Sequence, residues 1–207
     1  MRCLLFISCF IFASACSSAY KMQKAEGTND CITAFKPVFS RALYNTQVNV
    51  VGKHLSGILI IKAMPDSSTR MVFTNEAGFK FFDFSFKGEI FTVHYIFEQM
   101  NKKAVIKTLQ KDFEMILMQH LNAPEQYVLK NDNETYHVFA KGKDHYYYVT
   151  DNACSEFIRM ERGSSRKKVV EAVMKNYTNG IPDTIGISHT NFSFTIELKQ
   201  INDHAEQ

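Results

Sequence analysis

Between residues 70 and 100 the chain alternates between apolar and polar positions. Met71 and Phe73 fall on one side before a turn-forming run, Thr74-Asn75-Glu76-Ala77-Gly78. Phe82, Phe84 and Phe86 then alternate with Asp83, Ser85 and Lys87. After a second turn at Lys87-Gly88-Glu89, Phe91, Val93, Tyr95 and Phe97 keep the period of two. Successive side chains of a strand point to opposite faces, so each segment has one apolar face. Turns this short join antiparallel neighbours. The spacing predicts a three-strand meander whose apolar side is lined by Met71, Phe73, Phe82, Phe84, Phe86, Phe91, Val93, Tyr95 and Phe97. That is more aromatic surface than a small core needs, so this side either packs against another element or is held open for an apolar ligand.

The same period continues on both sides. Tyr44, Thr46, Val48 and Val50 alternate with polar residues, Gly52-Lys53 turns the chain, and residues 55–61 form a second strand. Met64-Pro65-Asp66-Ser67-Ser68 is a turn in which Pro presets φ and Asp and Ser bond their own backbone. Strand patterns resume at residues 136–140, 145–149, 155–161 and 169–177. After a turn over residues 179–184, Phe192, Phe194, Ile196 and Leu198 alternate again. Residues 32–40 read as a short helix interrupted by Pro37, and residues 125–133 as a polar connector.

At residue 101 the rhythm changes. Val105, Leu109, Phe113, Ile116 and His120 recur every three or four residues, with Lys103, Lys107, Lys111 and Glu114 on other sides. This predicts an amphipathic helix with Asn101 as N-cap, stopped by Asn122-Ala123-Pro124, whose Leu109, Phe113 and Ile116 cover the apolar face of the sheet. The fold class expected is mainly β: about 10–11 antiparallel strands in a curved half-barrel with one helical insertion over the concave face. No internal repeat or boundary divides residues 31–207, which read as a single domain.

Ahead of the domain, Arg2 precedes an apolar run over residues 4–12, too short to span a bilayer and suited to a signal peptide over residues 1–15. Ala13-Ser14-Ala15-Cys16 resembles a bacterial lipobox, which makes Cys16 the expected site of lipid attachment. The alternative is an ordinary signal peptide with Cys16 incidental. Residues 16–30 read as a lipidated N-terminus and flexible tether. Cys31 and Cys154 remain; they either pair or stay as free thiols, and no CxxC or His spacing supports a metal site.

The net charge of +3 is small and scattered, which gives no reason to expect nucleic acid. The chain has 207 residues, 45% of them hydrophobic, with 18 Phe, 9 Tyr and no Trp, and a mean hydropathy of −0.19. That is one domain with an aromatic interior rather than a multispanning membrane protein. No GxSxG, HExxH, Walker-type or GxGxxG signature is present, and the seven histidines do not fall at ligand spacing. No enzyme activity, cofactor or metal is expected.

The order of parts resembles the LolA/LolB-like lipoprotein-localisation factors, specifically the LolB-like, outer-membrane-anchored branch. The resemblance rests on Arg70-Met71-Val72-Phe73-Thr74-Asn75-Glu76-Ala77-Gly78, which is similar to that branch's strand and T-N-P-L-G turn. It also rests on the two strands that follow, the helix over residues 101–121, and closing strands at 169–177 and 183–199. It implies a hydrophobic cavity that accepts the acyl chains of lipoproteins from a LolA-like periplasmic carrier, in a monomer anchored by its lipid to the outer membrane and facing the periplasm. It also implies a membrane-contacting turn: the family's projecting leucine is matched here by Ala77, with Phe79 two residues on as the apolar substitute. The alternative is an envelope assembly or structural lipoprotein that binds a protein partner.

Overall fold

A computed structural model of the chain describes residues 19–201. Thirteen strands form one antiparallel sheet. They are β1 (Gln23–Ala25), β2 (Arg41–Val50), β3 (Lys53–Ala63), β4 (Thr69–Thr74), β5 (Lys80–Lys87), β6 (Ile90–Ile96), β7 (Glu125–Lys130), β8 (Glu134–Lys141), β9 (Asp144–Asp151), β10 (Phe157–Gly163), β11 (Lys168–Thr178), β12 (Ile181–His189) and β13 (Phe194–Gln200). The order across the sheet is β1-β7-β8-β9-β10-β11-β12-β13-β2-β3-β4-β5-β6, so β1 and β6 are the free edges of an unclosed sheet. Its α-helix, α1 (Lys103–Ile116), joins β6 to β7, the one place where consecutive strands lie at opposite ends.

The sheet must curve, because α1 touches both wings. Phe113 packs against Phe82 and Phe86 of β5, with ring centres 5.6 and 6.4 Å apart. The adjacent residue of the helix, Asp112, bonds Arg162 of β10 and His189 of β12. The Tyr148 hydroxyl of β9 donates to the Met115 carbonyl. Strands β5 and β10 are separated by six others in the sheet, so one helix reaches both only from inside a half-barrel. The concave side holds the main core, from Tyr44 and Ile61 through Phe84 and Phe113 to Tyr148 and Ile187. Local chemistry sets the turns: Val51 and Gly52 both take positive φ in the β2–β3 hairpin, the twist that suits a two-residue connection. Gly57 has no room for a side chain, since a Cβ there would lie 2.0 Å from the Thr74 carbonyl oxygen.

Thirteen strands exceed the 10–11 expected, for three reasons. Residues 125–133, expected as a connector, contain β7, whose apolar Val128 and Leu129 are buried. The turn expected over 179–184 is confined to Asn179 and Gly180, both at positive φ, and β12 begins at Ile181. The third is β1, in the stretch expected to be a tether. From residue 19 onward that stretch is built into the domain. The Tyr20 ring stacks on Tyr147 at 4.0 Å and its hydroxyl donates to Glu161 at 2.8 Å, within a second, smaller core of Leu129, Tyr136, Val138, Tyr147 and Val149 on the opposite, convex face. β1 then pairs with β7, and a 3₁₀ helix (Asp30–Phe35), in place of the helix expected over 32–40, seats Ile32 in the main core. Cys31 and Cys154 form a disulfide that ties this 3₁₀ helix to the β9–β10 turn. Cys16 and the signal segment lie outside the described residues. Among the described residues, no helix is long and apolar enough to cross a membrane.

The helix also differs from expectation. Lys102, extended, precedes α1, and no side chain caps it; Asn101 instead closes a short 3₁₀ turn over Glu98–Met100. α1 ends at Ile116, because Met118 adopts positive φ and His120 folds back to bond Glu114.

Candidate functional site

The apolar residues of the meander do share the concave side, but most of that side is filled. Met71, Phe73, Phe82, Phe84 and Phe86 are buried. Phe84 stacks on Phe82 at 4.4 Å and meets Phe91 edge-on at 5.2 Å, while Phe86 contacts Phe91 and Phe113. Phe113 of the helix occupies the space in front of Phe82 and Phe86, and Phe84 is fully buried beside them, which leaves no open wall there. Leu109 and Ile116 are buried with it.

Strand β6 departs from the predicted alternation. Phe84 pairs with Val93 but Asp83 pairs with Tyr95, so His94 is an extra residue in a bulge. A bulge of one residue exchanges the two faces beyond it. Ile96 thus takes the inward place opposite Phe82, and Tyr95 turns outward, 42% exposed, with the Lys80 ammonium 5.7 Å from its ring centre. Val93 is exposed as well. Neither belongs to the lining of the open cavity over β2, β3 and β13.

The open space lies one third of the way round, over β2, β3 and β13 and under the start of α1. It is a cavity of about 530 Å³ walled by Val48, Val50 and Leu55 of the sheet, Phe194 of β13, Phe81 and Phe97 from the meander, and Met100, Ala104, Val105 and Leu109 from the segment entering and forming α1. Small-molecule pockets have volumes of roughly 300–1,000 Å³. Of the residues expected to line a cavity, Phe97 belongs to this lining, and of the residues expected on the covering helix, Leu109 does. Next to it a small void of about 20 Å³ is bounded by Phe73, Phe82 and Phe113 and shares Val48, Leu55, Met100 and Leu109 with the larger cavity. Those four residues are a thin apolar partition between cavity and core, and Met100, unbranched and adaptable, is its softest member.

The mouth is apolar and basic. Val51 is 72% exposed and Phe192 39%, and both belong to the lining. Lys53, Gln99, Lys102 and Thr108 supply its polar atoms. Phe79 sits just outside: its ring is exposed on one side and packs edge-on against Phe97 at 4.9 Å and Phe81 at 5.4 Å. Its loop is held by Asn75, whose side-chain oxygen accepts the Phe79 N–H at 2.7 Å and whose carbonyl accepts from Gly78 at 3.0 Å. Ala77 is exposed at the tip of the same loop. The two turn residues singled out in the sequence therefore lie beside the opening. Val51 and Lys53 of the β2–β3 hairpin, Lys102 and Phe192, from three separate segments, carry no local signal that would have grouped them.

Two buried polar clusters lie elsewhere. On α1, Asp112 is fully buried; its Oδ1 accepts from Arg162 Nη2 at 2.9 Å and its Oδ2 from His189 Nε2 at 2.8 Å. Lys111 of the same turn bonds Asp144, joining helix and sheet a second time. On β8, two strands from Arg162, His137 Nε2 lies 3.7 and 3.9 Å from the sulfurs of Cys31 and Cys154, and its Nδ1 lies 3.0 Å from the Asn29 side-chain oxygen. These three residues form the one His/Cys/carboxylate grouping of metal-ligand proximity among the described residues. With the sulfurs bonded to each other, they are not thiolate ligands. Burial, with Lys130 nearby, lowers the His137 pKa and favours the neutral ring.

No family model matches the chain, and no curated protein matches it in sequence. Among solved structures, a DUF1329 family protein from Desulfovibrio piger ATCC 29098 is similar with a TM-score of 0.45 and 7% identity, over 86% of this chain and 92% of that one. A domain from Vibrio parahaemolyticus, provisionally described as an outer membrane lipoprotein-sorting protein, is similar with a TM-score of 0.43 and 5% identity, over 84% of this chain and 90% of its own.

Proposed function

We propose that this chain is a membrane-anchored, non-enzymatic lipoprotein that takes acyl chains into the cavity over β2, β3 and β13, accepting lipoproteins from a LolA-like periplasmic carrier for localisation to the outer membrane. The observation that supports this reading is the cavity of about 530 Å³, whose walls are aliphatic and aromatic and whose polar atoms are few. Burying a chain there gains about 0.8 kcal/mol per methylene. Transfer into it needs no chemistry, only a higher affinity than the donor's. Cys16 is the proposed lipid attachment, and the loop carrying Ala77 and the exposed Phe79 beside the mouth is the proposed contact with the bilayer.

Native mass spectrometry of the full chain carrying Cys16→Ser, mixed with a triacylated lipopeptide, tests the proposal. A one-to-one adduct is expected, and a folded protein that forms none contradicts it.

A second reading, an assembly lipoprotein that binds a protein partner, is favoured by the edge strand β6. Ile90 is 65% exposed there, alongside Val93 and Tyr95, on a strand with one free side. A partner strand added to that edge would cover them.

A further inference from the structure

We infer that the cavity's ligand bears an anionic head group, carboxylate or phosphate, on its acyl chain, and that Lys53 and Lys102 hold that group at the mouth. The inference rests on the acyl-binding reading of the cavity, and concerns a free anionic amphiphile rather than a lipoprotein, whose triacylated cysteine is uncharged. Both lysines belong to the lining, one from the first residue of β3 and the other from the residue preceding α1. No carboxylate lines the cavity, so its fixed charge is uncompensated.

Six described lysines are matched to acids, Lys80 with Asp83, Lys87 with Asp66, Lys111 with Asp144, Lys141 with Glu89, Lys168 with Glu171 and Lys199 with Asp183; others, Lys62 and Lys143 among them, are not, so what sets Lys53 and Lys102 apart is their place on the rim of an apolar cavity. Lys53 and Lys102 make no ion pair among the described residues. The first turn of α1, which faces the same opening, contains no acidic residue and no capping side chain, so its N–H groups add positive potential to that of the lysines. An apolar wall with a basic rim is complementary to an amphiphile with a charged head. A neutral head would leave both ammonium groups with nothing but water. The alternative role for these lysines is to lay their methylene stems over the apolar rim with their charges in solvent, in which case head-group charge does not matter.

Calorimetric titration of the full chain carrying Cys16→Ser separates these. The probes, below their micelle-forming concentrations, are laurate, dodecyl phosphate and the uncharged glycerol ester of lauric acid. Binding of at least one anion about tenfold tighter than the ester is expected from charge-assisted contacts. In the Lys53→Gln/Lys102→Gln double variant that anion should fall to the level of the ester, whose affinity stays unchanged. Both substituted side chains are exposed, and an unchanged melting temperature will confirm that the variant is folded. Whichever anion binds tighter tells a fatty-acid-like head from a phospholipid-like one. Equal binding of all three probes, or a preference that survives in the double variant, overturns the head-group inference and leaves the acyl cavity standing. Failure of all three, the ester included, to bind the folded protein removes the acyl reading and the inference with it.

Discussion

The Asp112 carboxylate on α1 and the Arg162 guanidinium on β10 lie 2.9 Å apart in the interior, with 0% and 8% of their side chains exposed. His189 closes the other carboxylate oxygen, and two buried nitrogens of the cluster, Arg162 Nε and His189 Nδ1, have no partner among the described residues. A buried charge is tolerated only while it is paired. The pair therefore fixes α1 against the β10–β12 wing of the sheet.

Removing the anion leaves the buried Arg162 with only the more distant Asp144, whose Oδ1 lies 3.9 Å from Arg162 Nη1. Asp112→Ala is expected to lower stability by about 3–5 kcal/mol, measured by chemical denaturation. Asp112→Asn keeps the shape but not the charge and should be only partly better. A loss below about 1 kcal/mol would mean that solvent reaches the pair.

The disulfide closes a loop across 123 residues of sequence and holds the 3₁₀ helix of Ile32 on the core. Cross-linking residues so far apart restricts the unfolded chain strongly, and reduction or Cys31→Ser is expected to cost about 2–4 kcal/mol. Melting with and without reductant measures it, and the Cys31→Ser variant should no longer respond to reductant.

Much of this architecture is legible in the residues. The alternation of Phe82, Phe84 and Phe86, the Pro65-Asp66 turn and the Leu109–Phe113–Ile116 stripe place three strands and a helix correctly, because each is a local pattern with a local cause. The bulge at His94 is not local: it follows from how β6 pairs with β5, and so the outward turn of Tyr95 is invisible in a sequence where 91, 93, 95 and 97 are all apolar. Gln23, Lys24 and Ala25 become a strand because β7 offers a free edge, not because their composition favours one. The aromatic excess on the meander left two outcomes open, packing or an open wall, and Phe113 of α1 packs against Phe82 and Phe86. Where the space is left open depends on where α1 comes to rest, and Asp112, which anchors it, reads in the sequence as one more polar helix residue.

Phe84 and Val105 distinguish core from cavity. Phe84 is fully buried among Phe82 and Phe91, so Phe84→Ala is expected to cost about 3–5 kcal/mol. Val105 is half-buried and faces the cavity. Val105→Glu should change stability by less than about 1 kcal/mol and abolish uptake of an acyl probe. Ala77→Glu, at the loop tip, should leave uptake intact and weaken only membrane contact. Undiminished uptake by a folded Val105→Glu protein would remove the cavity from the account.

Stability is expected to fall in acid. Hydrogen bonds from Arg159 hold the Glu134 carboxyl below its usual value, against the upward pull of partial burial, with Tyr136 helping. Asp83 is likewise held low: burial pushes it up, but Arg70 and Lys80 more than offset this. A depressed folded value means the unfolded chain binds protons first as pH falls. The contribution is thus fully present above the unfolded carboxylate range, near pH 4, and is lost below it as the folded groups protonate. Melting temperature should be level at mildly acidic pH and drop below about pH 4.5. Glu134→Gln, less stable at neutrality, should show a shallower drop.

The central claim is that acyl chains enter between β2, β3, β13 and the first turns of α1. A lipopeptide with a photoreactive diazirine at the end of one acyl chain, irradiated with the full-length Cys16→Ser protein and mapped by peptide mass spectrometry, tests it most directly. The account predicts cross-links confined to the cavity walls, at Val48, Leu55, Met100, Val105, Leu109 or Phe194. Cross-links at the β6 edge, at Ile90, Val93 or Tyr95, with the cavity residues unlabelled, would contradict it and favour the protein-partner reading.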